Sequence, residues 1–198
     1  MTAPQSRILQ ERFEDFLGVL VQSIPAGEQR WLRPHLKSSP ERLARMFLQE
    51  LLVGYRQDPQ QVLGTVFTDG YDEVVLLRDI PFYSLCAHHF LPLFGRAHVA
   101  YLPKGRVVGL SKLARLVDCY ARRLQTQERL TEQVAKSLMR YLRPWAAACV
   151  MEAQHLCMIC RGVEKSGATM VTSTMLGLFR TNAAARAELM ALLRGNGV

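Results

Sequence analysis

Two helix-forming segments lie next to each other in the middle of the chain, between two groups of short strand-like runs. The first helix is predicted to begin at Ser111 and the second to end before Pro144, because apolar residues recur at the helical period in both. The flanking runs are rich in branched and aromatic residues and are separated by turn formers. Strands and helices therefore do not alternate singly, and this order predicts an α+β fold with a mainly antiparallel sheet.

The strand-like runs and the end of the chain define one α+β domain, which we expect over residues 69–198. A closing helix over 183–193 is predicted to stop at Gly195. Before it, we predict six strands, over residues 73–78, 82–85, 95–102, 106–110, 146–158 and 169–179.

The first third of the chain has a helical pattern instead. An amphipathic helix is predicted over 5–23, followed by a loop-rich connector over 24–38. A second helix is predicted to begin at the capping residue Ser39 and to end at Gly54. We therefore expect an N-terminal helical region over residues 1–68.

Charge and hydropathy limit the classes of partner. The net charge of +8 indicates an anionic partner. The basic residues form no Lys/Arg tract and show no zinc-finger spacing, which argues against nucleic acid. No apolar run approaches the roughly 18 residues needed to cross a bilayer, and segment 1–14 lacks a signal-peptide pattern. We expect a cytoplasmic protein that binds neither membranes nor nucleic acid.

Cysteine and histidine cluster at two distant places. Cys86 and His89 are three residues apart, a spacing from which one tight turn can present a thiolate and an imidazole to a tetrahedral ion. His155 and Cys157 lie in a predicted strand, where alternation places both side chains on one face. Each residue alone is explained as a buried or hydrogen-bonded side chain. Together they predict a zinc site formed by Cys86, His89 and Cys157.

Cys160 leaves two interpretations of this site open. As the second cysteine of a CxxC motif it would add a fourth ligand and close the site as a structural zinc centre. If the strand continues, the odd spacing from Cys157 points Cys160 to the opposite face, and a coordination position remains for water. We favour this open site. His88 and His155 would then move protons or orient the ligands.

The start of the first central helix is a candidate anion site. Ser111 is the predicted N-cap, so free backbone amides lie at that terminus. Lys112 and Arg115 share the adjacent helical surface. The arrangement suits a phosphate group, although a solvated basic face explains it as well.

The start of the second central helix is a candidate base-recognition site. Gln127 and Glu128 pair an amide with a carboxylate, which can recognise the edge of a guanine or simply complement the helix dipole. Arg161, beyond the predicted zinc strand, is a further phosphate contact or a solvated side chain.

Four motifs together make the chain resemble GTP cyclohydrolase I over residues 39–194. They are FYSLCAHH from Phe82, GLSKLAR from Gly109, QTQERLT from Gln125, and HLCM from His155 with Arg161-Gly162. Weaker support comes from SPER at Ser39 with Arg45 and from TSTMLGLF at Thr172. The resemblance implies a tunnelling fold with two helices between strand pairs, assembled as a toroid from two stacked pentamers.

The resemblance also implies an activity and a set of roles. Enzymes of this type hydrolyse GTP to 7,8-dihydroneopterin triphosphate and release formate, the first step of folate or biopterin synthesis. The implied zinc ligands are Cys86, His89 and Cys157, and the proton-transfer pair is His155 and His88. The implied substrate ligands are Gln127 and Glu128 for guanine, Ser111 near the ribose, and Lys112, Arg115 and Arg161, with Arg42 and Arg45 from another subunit, for the phosphates.

One residue departs from the family pattern. Ala87 stands where the family usually has glutamate, between the first zinc cysteine and the paired histidines. Loss of a carboxylate beside a metal can change how the ligands are oriented. A paralogue that acts on another purine nucleotide therefore stays open as an alternative to GTP hydrolysis by the predicted catalytic domain. A second alternative, a non-catalytic toroid, follows from the closed zinc site with Cys160 as fourth ligand.

Overall fold

The computed structural model describes residues 3–195. Contacts divide the chain into two compact units, with the boundary between Val53 and Gly54. None of the helices within the described residues is long and apolar enough to cross a bilayer.

The N-terminal unit is helical. Its three α-helices are α1 (Ala3–Gln22), α2 (Ala26–Leu36) and α3 (Ser39–Arg45), and α3 continues as a π-helical turn over Met46–Leu51. Phe13 of α1 stacks on Phe47, with 5.6 Å between the ring centroids. Both helices predicted for this unit are present, but Ser38 and not Ser39 stands at the N-cap of α3, and the π-helical turn ends at Leu51, before the predicted end at Gly54.

The predicted loop over 24–38 is wrong, because α2 occupies most of it. Ala26–Leu36 contains no β-branched residue, so the side chains lose little rotamer freedom in a helix. Glu28 also places a carboxylate in the first turn, where it complements the helix dipole. These local signals outweigh Pro34, which lies inside the helix.

The second unit is an α+β domain around a five-stranded sheet, which confirms the predicted fold class. The sheet has the order β5-β2-β3-β6-β7, and every neighbouring pair is antiparallel except β5 with β2. A separate two-stranded sheet pairs β1 with β4. The strands are β1 (Val66–Thr68), β2 (Val75–Cys86), β3 (Pro92–Leu102), β4 (Arg106–Val108), β5 (Leu124–Gln125), β6 (Ala146–His155) and β7 (Met170–Gly177).

Six further helices belong to this unit or border it. They are α4 (Pro59–Leu63), α5 (Leu110–Ala121), α6 (Gln127–Ser137), α7 (Leu156–Ile159), α8 (Leu178–Thr181) and α9 (Ala183–Arg194), with a 3-10 turn over Val53–Arg56 and a π-helical turn over Leu138–Leu142. The two central helices and the closing helix are confirmed.

Two strand predictions need correction. The runs 73–78 and 82–85 are one strand, β2, interrupted only by a β-bulge between Leu77 and Ile80. Asp79 occupies the bulge with a φ of 56°, and such a bulge inserts an extra residue without ending the strand. The strand predicted over 146–158 ends at His155, because the chain turns into α7 there.

The main core lies between the sheet and helices α5 and α6. Leu116 of α5, Val134 of α6 and Val99 of β3 are completely buried in one cluster. The opposite face of the sheet carries a smaller cluster in which Leu189 of α9 packs with Phe179. Because successive strand residues face opposite ways, β6 contributes its odd-numbered residues to the main core. This alternation places His155 at the α6 side of the sheet.

Candidate metal centre and substrate site

The turn between β2 and β3 brings two of the predicted ligands together. Cys86 ends β2, and its amide donates to Leu91 O, while Phe90 N donates back to Cys86 O. Phe90 adopts a φ of 57°, which closes this tight turn. As a result, Cys86 Sγ lies 3.6 Å from His89 Nδ1.

The third predicted ligand comes from α7, directly after β6. The ligand atoms of Cys86, His89 and Cys157 all lie within 4.8 Å of one another. Tetrahedral zinc with bonds of about 2.0–2.3 Å needs donor atoms roughly 3.5 Å apart, so the group can hold a metal ion with little adjustment. Burial and the neighbouring Cys86 thiol raise the pKa of Cys157. A bound cation would reverse that preference by stabilising the thiolate.

Cys160 lies outside this group of three among the described residues. Its side chain is exposed, and its thiol donates to Leu156 O at 3.0 Å. The expectation that strand alternation separates Cys160 from Cys157 is wrong in its geometry, because both residues follow the end of β6 at His155. The helical turn of α7 separates the two thiols instead.

The two candidate proton-transfer histidines differ in their surroundings. His155 is half-buried, and its Nε2 lies 2.8 Å from Gln127 Oε1. Burial lowers the pKa of His155, and the carboxylate of Glu128 opposes that shift. His88 is exposed in the β2–β3 turn, with Nδ1 3.9 Å from Cys86 Sγ.

Gln127 and Glu128 open α6, as predicted, but they face different environments. Thr126 caps the helix by accepting from Arg129 N. Gln127 is buried, with 1% of its surface exposed, and its amide bonds to groups of β6 and β7. Glu128 is exposed. The sequence pattern did not indicate the contact between Gln127 and His155, since it joins residues from separate elements.

The basic residues of α5 border a surface cavity of about 380 Å³. Lys112 and Arg115 line it, and Asp118 adds a carboxyl group whose pKa burial raises. The prediction that Ser111 is the N-cap is wrong, because α5 starts at Leu110 and its N-cap is Gly109, two residues before Ser111. Ser111 is an exposed residue of the first turn.

The remaining predicted site residues are all exposed arginines. Arg161 follows Cys160 just after α7. Arg42 and Arg45 lie on α3 of the N-terminal unit. Their roles stay predictions.

Comparison with known proteins places the chain in a family. The family model for GTP cyclohydrolase I matches residues 20–194. GTP cyclohydrolase 1 of Pelotomaculum thermopropionicum is 46% identical, over 94% of this chain and 97% of that protein. The Chlorobaculum tepidum protein of the same name is 52% identical, over 92% of this chain and 84% of that protein. The protein described here therefore belongs to the GTP cyclohydrolase I family.

Proposed function

We propose that this protein hydrolyses GTP to 7,8-dihydroneopterin triphosphate and formate at a zinc centre held by Cys86, His89 and Cys157. The observation that carries the proposal is the convergence of these three ligand atoms within 4.8 Å. Family membership supports GTP as the substrate. Three protein ligands leave one tetrahedral position free, as in catalytic zinc sites.

The proposed chemistry divides between the metal and the chain. When bound, zinc supplies a Lewis acid that makes water a nucleophile near neutral pH. His155 and His88 flank the ligands in sequence and would exchange protons with the purine ring and the sugar. Half-burial of His155 supports this role, because burial favours the neutral ring that can accept a proton.

We assign substrate binding to polar and charged side chains of α5, α6 and the segment after α7. The carboxylate of Glu128 can accept from the N–H groups of a guanine edge. Lys112 and Arg115, which line the cavity beside α5, can bind the triphosphate, with Ser111 near the ribose. The resemblance adds Arg161, and it adds Arg42 and Arg45 from another subunit.

The proposal also covers the fold family of the domain and the assembly of the subunits. We assign residues 69–198 to a tunnelling-fold catalytic domain and residues 1–68 to an N-terminal helical region, although α4 and β1 of that region fall within the second compact unit. The resemblance implies a toroid built from two stacked pentamers, and two sheet edges are compatible with association between copies. Within residues 3–195, β7 is a terminal strand, and β2 pairs with β5 only at Leu85 and Cys86. Unpaired edges of this kind offer hydrogen bonds to a neighbouring copy.

Ala87 supports one competing assignment, turnover of another purine nucleotide. The residue lies half-buried inside the metal-binding turn, and its amide donates to Gln125 O. It brings no carboxylate to the site. A closed, non-catalytic zinc site has less support, because exposed Cys160 lies outside the group of three ligands.

The test is incubation of the zinc-loaded protein with GTP, followed by oxidation and detection of pterin fluorescence and formate. We expect both products, and we expect neither after a chelator has removed the metal. A parallel panel of other purine nucleotides separates the alternatives. Turnover of a different purine with GTP inert would select the paralogue, and no turnover of any nucleotide would favour the non-catalytic toroid.

A further inference from the structure

We propose that Gln127 fixes the tautomer of His155 and is a positioning residue for proton transfer, not a ligand of the guanine base. The inference rests on the proposed role of His155 as a proton-transfer group. It follows from a chain of hydrogen bonds in which the donor and the acceptor of each contact can be assigned consistently.

The surroundings of Gln127 determine which way its side-chain amide points. The nitrogen Nε2 lies 3.1 Å from Met151 O, 2.9 Å from Met170 O and 3.1 Å from Thr172 Oγ1. Two of these partners are backbone carbonyls, which can only accept. The amide NH₂ must therefore face them, because a flipped amide would set Oε1 against two carbonyl oxygens in a buried place.

Two threonines complete this assignment. Thr131 Oγ1 donates to Gln127 O at 2.7 Å and lies 2.7 Å from Thr172 Oγ1. Because the only hydroxyl proton of Thr131 points to that carbonyl, the proton between the two hydroxyls belongs to Thr172. The oxygen of Thr172 is then available to accept from Gln127 Nε2. The donor and acceptor assignments of the two hydroxyls therefore agree with the orientation of the Gln127 amide.

His155 is the last member of the chain. Gln127 Oε1 can only accept, and it lies 2.8 Å from His155 Nε2, so Nε2 carries a proton. In the neutral ring Nδ1 is then the nitrogen that can take up a proton. A fixed tautomer matters for a proton-transfer histidine, because the wrong one presents a proton where a lone pair is required.

The same contacts remove Gln127 from direct contact with a base. Its side chain is 1% exposed, its NH₂ faces three oxygen atoms, and its Oε1 is taken by His155. A guanine edge would have to break this chain to reach the amide. Exposed Glu128 is left as the guanine ligand of the pair.

The tautomer is measurable without any substrate. In zinc-loaded protein with ¹⁵N-labelled histidine, we expect the long-range ¹H–¹⁵N spectrum of His155 to show Nε2 protonated and Nδ1 unprotonated. A His155→Asn variant assigns the signals. In Gln127→Met we expect a mixture of tautomers, while the control Glu132→Gln, an exposed change on the same helix, leaves the pattern unchanged. A ring protonated at Nδ1 in the unaltered protein would overturn the proposal, whether or not GTP is turned over.

Kinetics distinguish positioning from guanine binding. For Gln127→Met we expect kcat to fall by about 10²-fold, within the range for losing acid–base catalysis, and GTP affinity to change by less than about twofold. Thr172→Val should lower kcat in the same sense by a smaller factor, and Thr172→Ser, which keeps the hydroxyl, should restore it. If Gln127→Met instead loses affinity for GTP while kcat is unchanged, Gln127 binds the guanine and the proposal is wrong.

Discussion

At the scale of single residues, the candidate centre depends on three side chains from two distant stretches of chain. Cys86 and His89 share a hairpin turn closed by backbone hydrogen bonds, and Cys157 reaches them from α7. These backbone hydrogen bonds fix the shape of the turn and so position the side chains of Cys86 and His89. The neighbouring thiol of Cys160 is exposed and lies outside this group among the described residues.

We predict that Cys157→Ser loses its zinc and Cys160→Ser keeps it. A serine hydroxyl is a poor substitute for a thiolate ligand, whereas the thiol of Cys160 donates to a carbonyl within its own helical turn. Zinc content after dialysis, measured by atomic emission, should be about one per chain for the Cys160 variant and near zero for the Cys157 variant. Equal loss in both variants would show that Cys160 is a ligand.

At the scale of elements, the bulge in β2 creates a polar cluster separate from the candidate metal centre. Asp79 N donates to His98 Nδ1 at 3.2 Å, so the acceptor nitrogen must be unprotonated. The Asp79 carboxylate in turn accepts from Arg96 at 3.2 Å. Burial lowers the pKa of His98 from 6.5, although Asp79 and Glu152 oppose the shift. The folded protein therefore favours the neutral ring.

This cluster predicts a loss of stability in mild acid. Below pH 6.5 the unfolded chain binds a proton at His98 more readily than the folded protein does. The contribution of neutral His98 to the free energy of unfolding is therefore complete above that pH and decreases below it. Urea unfolding at about pH 7.5 and 5.5 should show a smaller decrease for His98→Gln, which keeps an acceptor but does not titrate. An identical decrease in both proteins would contradict the assignment.

The pairing of β3 with β6 makes its own prediction at Gly95. A Cβ atom there would lie 1.9 Å from Glu152 O, which requires the backbone to move. Gly95→Ala should lower the free energy of unfolding by about 1–3 kcal/mol or more. The control Gly70→Ala has no atom within 4 Å of its Cβ and should change it by less than about 0.5 kcal/mol. Similar stabilities for the two variants, measured by urea unfolding, would mean that the close approach is absent.

Elements with a local signal were predictable, and elements that depend on long-range contacts were not. Helices α5, α6 and α9 carry apolar residues at helical spacing, so their positions followed from the sequence. The bulge at Asp79 and the four-residue helix α7 are too short to show any period. The partners of Gln127 lie 24 to 45 residues further along the chain, so the predicted position of this residue said nothing about what its amide contacts.

At the scale of the whole molecule, the sheet ends in strands that can pair with another copy. Exposed Val171 on β7 adds apolar surface at one edge. We predict that the protein elutes as an assembly of many subunits, with a mass far above the 22.4 kDa of one chain. Light scattering coupled to gel filtration measures that mass. A monomer at micromolar concentration would contradict the toroid.

The open zinc site is tested most directly by X-ray absorption at the zinc edge of the purified, zinc-loaded protein. We expect two sulfur ligands at about 2.3 Å and two lighter ligands at about 2.0 Å, one from His89 and one from solvent. Three sulfur ligands, with no solvent position, would contradict an open site at Cys86, His89 and Cys157.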